Sequence, residues 1–103
     1  EIVRVGDSPP STICDALQPD ATKPINLAVL KDRAEPGVTV TDAEIRAAQR
    51  FAFSNLNLVV EPGGAAALAA ALVGKVPLSE DTVIMVTGGN CDPARFAETL
   101  TSD

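Results

Sequence analysis

The chain has 103 residues and a net charge of −6, with 46% hydrophobic and 21% charged residues, which fits a single globular domain. Its acidic balance and its only three aromatic residues, all Phe, argue against a nucleic-acid partner, because such binding needs clustered cations and stacking rings. Histidine is absent, which removes the commonest general base and a common metal ligand, and we expect no metal site.

The two cysteines, Cys14 and Cys91, lie far apart in the sequence and show no C-x-x-C spacing. This spacing favours reduced thiols in a cytoplasmic protein, with a disulfide as the alternative. No signal peptide or membrane span is found, since the alanine-rich run 65–73 is too short to cross a bilayer. The sequence starts at Glu1 without an initiating Met, and we expect it to be a fragment of a longer protein.

The first part of the chain predicts short elements separated by breaks. Residues 2–5 are strand-like, and the proline pair at 9–10 ends regular structure. The hydroxyl residues at 11–12 are candidate caps for a short helix over 13–17. Residues 25–30 are apolar at nearly every position, so that strand and helix are both compatible with them.

The middle of the chain contains the clearest helix start. Thr41 and Glu44 have the spacing of a capping box, in which each side chain satisfies a free backbone amide of the other. We therefore predict a helix over 42–54, after a short strand at 38–40. Its inner face is predicted from apolar residues at helical spacing: Ile45, Ala48 and Ala52, with Phe51 alongside.

The last part of the chain alternates between strand and helix patterns. Pro62 and Gly74 stand where a helix starts and stops, and the apolar residues 65–73 between them predict a buried helix. Asp92 has the position of an N-cap and Pro93 that of a first helical residue. Strands are predicted at 56–60 and 82–86, and the helix after Asp92 has Phe96 and Leu100 on its apolar side.

The strand–helix alternation over 38–100 predicts an α/β fold in three layers, with a partial parallel sheet flanked by helices. We treat residues 1–103 as one segment of such a domain. The continuous apolar run 83–86 is typical of a strand covered on both faces. Glycines directly after this strand let a ligand approach the backbone at the sheet edge where α/β proteins bind ligands. So much apolar surface requires a cover, from a missing part of the domain or a partner chain.

Three motifs stand out along the chain: S-T-I-C-D-A-L at 11–17, V-E-P-G-G-A-A-A-L-A-A at 60–70 and V-T-G-G-N-C-D at 86–92. Their order and spacing resemble the C-terminal third of the fold-type II pyridoxal-phosphate enzymes. The similarity is to threonine/serine dehydratases (ammonia-lyases), serine racemase and hydroxyaspartate dehydratase. It covers nearly the whole chain, and the helix start at 41–45 is also similar.

The resemblance implies a cofactor, pyridoxal phosphate, and the conversion of a hydroxyamino acid such as threonine or serine to a 2-oxo acid and ammonia. It places Thr87 where the family has a Ser whose hydroxyl bonds the pyridine nitrogen. It places Gly88, Gly89 and Asn90 along the ring edge. Glu61 is similar to a family glutamate near the cofactor, although the helix dipole alone also favours an acidic residue there.

The chain lacks two parts that the resemblance implies. The Schiff-base lysine and the glycine-rich phosphate cradle lie upstream in the family, and Lys23, Lys31 and Lys75 are interpreted as solvated surface charges. Gly63-Gly64 before a helix is a weak alternative anion site. We therefore expect no catalytic residue in this chain and no activity from the chain alone.

The expected partners follow from the resemblance: the remainder of the catalytic domain, a small amino-acid substrate and a second copy in a homo-oligomer, with neither nucleic acid nor membrane. The alternative hypothesis is a free-standing, non-catalytic ligand-binding or interaction module with an α/β core. The missing histidine, lysine site and phosphate cradle all permit that alternative.

Overall fold

Helix α2, Asp42–Leu56, is the longest element of the computed structural model, which describes residues 2–7 and 11–102. The Thr41 hydroxyl accepts a hydrogen bond from the Glu44 amide at 3.2 Å, and the Glu44 carboxylate accepts one from the Thr41 amide at 2.7 Å. The predicted capping box is therefore confirmed. The helix ends at Leu56 rather than at residue 54, and Asn57 closes it in the left-handed conformation with φ 56°.

The remaining helices are short. Residues 25–30, for which strand and helix were both open, are helical, and the predicted helix over 13–17 is reduced to one 3₁₀ turn. The proline pair at 9–10 lies outside the described residues. None of the helices in the described ranges has the length and hydropathy to cross a lipid bilayer. The bounds are Pro24–Leu30 for α1, Ala66–Leu72 for α3 and Pro93–Thr101 for α4, with 3₁₀ helices at Asp15–Leu17 and Gly63–Ala65.

Helix α4 starts as its sequence predicts. Asp92 accepts a hydrogen bond from the Arg95 amide at 2.9 Å, and Pro93 occupies the first turn. Because proline has no amide hydrogen to satisfy, it is well placed there. The Phe96 ring packs edge-on against Phe53 of α2, with ring centroids 5.8 Å apart. This contact holds α4 against α2.

The core lies between α2 and α3. The predicted inner face of α2 is confirmed for Ile45, Ala48 and Ala52, which are fully buried, whereas Phe51, expected alongside them, is 36% exposed. The alanine-rich sequence of α3 lets the two helices approach closely, since alanine adds little volume between the backbones. Helix α3 is buried on one side and exposed at its end. The residues that meet the α2 face are Cys14, Val60, Ala65, Leu68 and Ala69.

No residue in the described ranges forms a β-strand, so the strands predicted at 2–5, 38–40, 56–60 and 82–86 are not formed. A strand exists only where a neighbouring segment completes its ladder of backbone hydrogen bonds. None of these segments finds such a ladder among the residues described here. The layered parallel sheet therefore stays a prediction.

The apolar run before the glycines is covered on one face within the described residues, and the predicted cover of its other face stays a prediction. Ile84 and Val86 pack against the core, whereas Val83 is 87% exposed and Met85 is 67% exposed. This alternation has the period of a strand. One face of the segment is thus paired with the helices, and the other has no cover in the described residues.

Candidate functional site

Residues 87–90, here named the glycine turn, meet the residues that follow Val60. The Glu61 amide donates to the Gly88 carbonyl at 3.0 Å, and the Thr87 amide donates to the Gly64 carbonyl at 3.3 Å. The ends of the two apolar segments 56–60 and 82–86 therefore lie side by side, although the segments themselves are not strands.

Two glycines make this contact possible. Gly88 has φ +72°, a conformation that side chains with a Cβ rarely adopt. A Cβ on Gly88 would also overlap the side chain of Glu61. At Gly64 a Cβ would overlap the Thr87 carbonyl, so backbone touches backbone there.

Packing requires a glycine at position 64 but not at position 63. A Cβ on Gly63 would lie 3.4 Å from Ala16 and Leu17, in ordinary contact with the 3₁₀ turn, whereas a Cβ on Gly64 would overlap the Thr87 carbonyl. The alternative anion site at this pair stays a prediction. Helix α3, which follows, has only seven residues. The glycines bring three segments together: 15–17, 63–64 and the glycine turn.

Glu61 lies half-buried with its side chain against the Cα of Gly88. Its carboxylate has no hydrogen bond or ion pair within the described part of the chain. Burial raises the pKa of the nearby Cys91 thiol, and the negative charge of Glu61 raises it further. Cys91 and Cys14 are both free thiols, which matches the expected reduced state.

The glycine turn presents two more polar side chains to solvent. Thr87 and Asn90 are exposed, and among residues 2–7 and 11–102 neither side chain has a hydrogen-bond partner. Gly88 and Gly89 are exposed between them. The turn therefore offers a hydroxyl, an amide and a bare backbone edge, next to the carboxylate of Glu61.

An open cavity of about 700 Å³ lies beside the turn, between α2, α4 and the segment 13–16. Glu61 and Asn90 line it, whereas Thr87, Gly88 and Gly89 lie outside it. The structure thus divides the five predicted site residues between the cavity wall and the exposed turn. The other polar residues of the cavity wall are Asp15, Arg46, Gln49, Asp92, Arg95, Glu98 and Thr99.

The sequence interpretation missed Gln49 in this wall. The residue is 2% exposed, and its Nε2 donates to the Val60 carbonyl at 2.7 Å. Its position was readable, because Gln49 follows Ile45 by four residues and so shares the inner face of α2. The signal in the sequence was a polar residue at a position where the helical spacing predicts an apolar one.

The three lysines lie away from the cavity wall. Lys75 donates to the Thr39 carbonyl at 3.0 Å and to the Glu44 carboxylate at 2.8 Å. Lys23 and Lys31 flank the two ends of α1. In the described ranges no group of three or more Cys, Asp or Glu side chains is arranged to hold a metal ion.

The comparisons with known proteins agree on one family. The family described as "Pyridoxal-phosphate dependent enzyme" matches residues 2–88. Serine racemase from Schizosaccharomyces pombe is 32% identical over 92 residues, which are 88% of this chain and 28% of the relative. L-threo-3-hydroxyaspartate ammonia-lyase from Pseudomonas sp is 34% identical over 92 residues, covering 88% of this chain and 29% of the relative.

A solved structure gives the same result. The crystal structure of a threonine deaminase from T.th. superposes with a TM-score of 0.76 at 30% identity, covering 88% of this chain and 30% of that chain. The chain thus spans less than a third of the length of these relatives. With a family match over most of its residues, the chain belongs to the pyridoxal-phosphate dependent enzymes, whose cofactor is pyridoxal phosphate.

Proposed function

We propose that this chain forms one wall of the cofactor pocket in a pyridoxal-phosphate dependent dehydratase. The reaction converts a hydroxyamino acid, threonine or serine, to a 2-oxo acid and ammonia. One observation carries the proposal: the Thr87 hydroxyl of the glycine turn and the adjacent Glu61 carboxylate both lack a partner in the described part of the chain. The related ammonia-lyase and threonine deaminase support the reaction class.

The glycine turn fits the edge of a flat heteroaromatic ring. Gly88 and Gly89 carry no side chains, so the exposed edge of the turn is bare backbone that a ring can approach, while the Glu61 side chain fills the space of a Cβ on Gly88. Both are exposed, and Asn90 presents its amide at the end of the turn. The donor set suits the cofactor, because a hydroxyl bonds a ring nitrogen and an amide bonds a ring substituent.

When bound, pyridoxal phosphate supplies an electron sink for the bonding electrons of the substrate α-carbon. Thr87 would hold the ring in place by a hydrogen bond between its hydroxyl and the pyridine nitrogen. Because the hydroxyl is neutral, it would not keep that nitrogen protonated as a carboxylate would. Glu61 is held beside the turn by its backbone bond to Gly88 and places a negative charge near the ring edge.

The chain alone is proposed to be inactive. The family reaction needs a lysine that binds the cofactor covalently, and Lys75 is already bonded to Thr39 and Glu44. Lys23 and Lys31 lie at the ends of α1, and neither lines the cavity. The reactive lysine is therefore assigned to the remainder of the catalytic domain.

The same remainder is proposed to complete the sheet. Segments 56–60 and 82–86 end side by side, and Ile84 and Val86 face the core while their neighbours are exposed. This is the pattern of strands in a layered α/β domain whose outer cover lies elsewhere. We propose that this cover comes from the rest of the domain, in a cytoplasmic homo-oligomer.

The test uses the full-length protein that contains this chain. Purified protein is mixed with pyridoxal phosphate, and its visible absorption band is recorded. L-Threonine, L-serine and L-threo-3-hydroxyaspartate are then supplied separately, and 2-oxo acid, ammonia and the D-enantiomer are measured.

We expect the absorption band and 2-oxo acid from at least one hydroxyamino acid. A D-enantiomer as the dominant product would assign the protein to racemisation instead, the activity named for the Schizosaccharomyces pombe relative. Absence of the band would refute the proposal and support the non-catalytic module. The isolated chain serves as the control, and an absorption band on Lys23, Lys31 or Lys75 would refute the lysine assignment.

A further inference from the structure

Gln49 is an unusual residue for the inner face of α2. It is 2% exposed, and its Oε1 is buried without a partner in the described residues. A buried amide with one unpaired oxygen is costly, and an apolar residue of similar size would avoid that cost. Packing alone therefore does not explain this side chain, and such departures from a local rule concentrate at functional sites.

The other half of the amide makes one well-formed bond. Its Nε2 donates to the Val60 carbonyl at 2.7 Å, in the buried interior. That carbonyl belongs to the peptide that joins Val60 to Glu61. The bond therefore ties the middle of α2 to the backbone directly before the carboxylate.

From this peptide the contacts continue to the glycine turn. The Glu61 amide donates to the Gly88 carbonyl at 3.0 Å, and the Glu61 side chain lies against Gly88. The neighbouring Thr87 amide donates to the Gly64 carbonyl. A shift of the Val60–Glu61 peptide would thus move the carboxylate and the turn together.

We propose that Gln49 is a positioning residue for the cofactor pocket. It fixes the Val60–Glu61 peptide and, through it, the place of Glu61 and the glycine turn. It acts through Glu61, and this role requires no contact with substrate or cofactor. This inference rests on the proposed function, which supplies the reaction that it affects.

The first test is Gln49→Met in the full-length protein loaded with pyridoxal phosphate. We expect kcat to fall about tenfold, as small displacements of reacting groups do, while the melting temperature changes by less than about 5 °C. The matched control is Ala47→Gly, an exposed position of the same helix, which lowers the melting temperature through helix propensity and leaves kcat unchanged. An unchanged kcat in Gln49→Met overturns the proposal.

The Gln49→Glu variant provides a second, independent test of the positioning role. A protonated carboxyl donates to the Val60 carbonyl as the amide does, whereas an ionised one repels it. Burial raises the pKa of such a carboxyl, so we expect activity relative to wild type to fall as the pH rises through that pKa. If Gln49 had a purely structural role, the activity of Gln49→Glu relative to wild type would not vary with pH at temperatures well below the melting temperature.

Amide hydrogen exchange separates this inference from the proposed function, because it needs no activity. In Gln49→Met we expect faster exchange in peptides that cover 60–64 and 87–90, with unchanged exchange in α4. If the wild type binds no cofactor, the proposed function fails, while the exchange result still shows whether Gln49 holds these segments. Unchanged exchange at 60–64 and 87–90 refutes the positioning role.

Discussion

Thr87 presents its hydroxyl beside a backbone that is firmly held. Its amide bonds Gly64, and its carbonyl fills the space of a Cβ there, while the side chain is exposed and unpartnered in the described residues. The fold therefore uses the backbone of this residue and leaves its hydroxyl available. Substitutions of the side chain are expected to affect the chemistry without affecting the fold.

The prediction for Thr87→Ala follows from this separation. We expect kcat of the full-length enzyme to fall about fivefold, because a neutral hydrogen bond contributes about 1 kcal/mol. The melting temperature should stay at the wild-type value. Thr87→Ser, which keeps the hydroxyl, is the matched control and should retain activity. Unchanged kinetics in Thr87→Ala would mean that the residue only forms the turn and that its hydroxyl has no role in the reaction.

At Gly88 the absence of a Cβ matters both for the local backbone and for the site. Its φ of +72° and the Glu61 side chain against its Cα both disfavour a Cβ. We expect Gly88→Ala to destabilise the protein by about 1–3 kcal/mol and to weaken cofactor binding. Denaturant unfolding and cofactor titration measure the two effects.

Gly37→Ala is the control for that experiment. A Cβ at position 37 would meet no atom within 4 Å beyond its chain neighbours, and the residue has no left-handed φ. The added methyl group should therefore be tolerated. Equal losses of stability in the two variants would mean that neither the Glu61 contact nor the left-handed backbone decides the result at 88.

At the level of elements, the helix starts were predictable because their signals are local. The Thr41–Glu44 capping box and the Asp92 cap each lie within one turn of the helix that they begin. Such spacing is visible in the sequence alone. The ambiguity over 25–30 was settled by Pro24 at the first helical position, a signal that the apolar count did not use.

The strands were not predictable in the same way, since a strand depends on a distant partner. The pattern at 82–86 predicted an apolar segment covered on both faces, and the described residues cover only the face of Ile84 and Val86, so the second cover stays a prediction. The burial of Gln49 was readable from its spacing to Ile45, but its bonding partner was not, because the Val60 carbonyl lies eleven positions away. The five predicted site residues came from the motif resemblance, and the structure brings Glu61 and the glycine turn together.

The capping box of α2 is extended by Lys75, which gives the helix start a pH dependence. The Lys75 hydrogen bond lowers the pKa of Glu44, and the Thr41 amide lowers it further, from an ordinary value of 4.5. A lowered folded-state pKa means that the charged form stabilises the fold. This contribution is present above pH 4.5 and is lost as the pH falls through the folded-state pKa.

We therefore expect Glu44→Gln to melt below wild type at pH 7 and to match it more closely as the pH is lowered below about 4.5. Thermal unfolding over a pH series measures the difference. Lys75→Met removes the cation together with its hydrogen bond to the Thr39 carbonyl. It should give part of the pH-dependent effect, because the bond between the Thr41 amide and Glu44 remains. A difference that stays constant down to about pH 3 would contradict the assignment to Glu44 ionisation.

For the whole molecule, the unusual feature is apolar surface without a cover. Val83 and Met85 stand exposed in one segment, and Leu58 and Val59 are about half exposed in the neighbouring one. Contiguous apolar patches of this kind mark interaction surfaces. This chain covers less than a third of the length of its relatives, which agrees with the proposal that further parts of the protein lie against these exposed residues.

This proposal predicts a stability effect at a position that is exposed in the described chain. Val83→Asp in the full-length protein should destabilise it by about 2 kcal/mol or more, because a charge would be buried beneath the cover. Leu78→Asp, in the loop at 77–81, is the control and should change stability by less than about 0.5 kcal/mol. Equal, small effects would show that position 83 is exposed in the full-length protein as well.

The contact between Gly64 and Thr87 has a consequence for how such a pocket tolerates sequence drift. At this point the backbone of Thr87 packs directly on the backbone of Gly64, in the 3₁₀ helix before α3. This contact fixes the position of the Thr87 hydroxyl, and the apolar residues before Thr87 do not. Side-chain changes at 83 and 85, which lie outside the core of the described residues, leave this backbone contact in place. A Cβ added at position 64 would overlap the Thr87 carbonyl, so position 64 is expected to remain glycine whichever side chain stands at position 87.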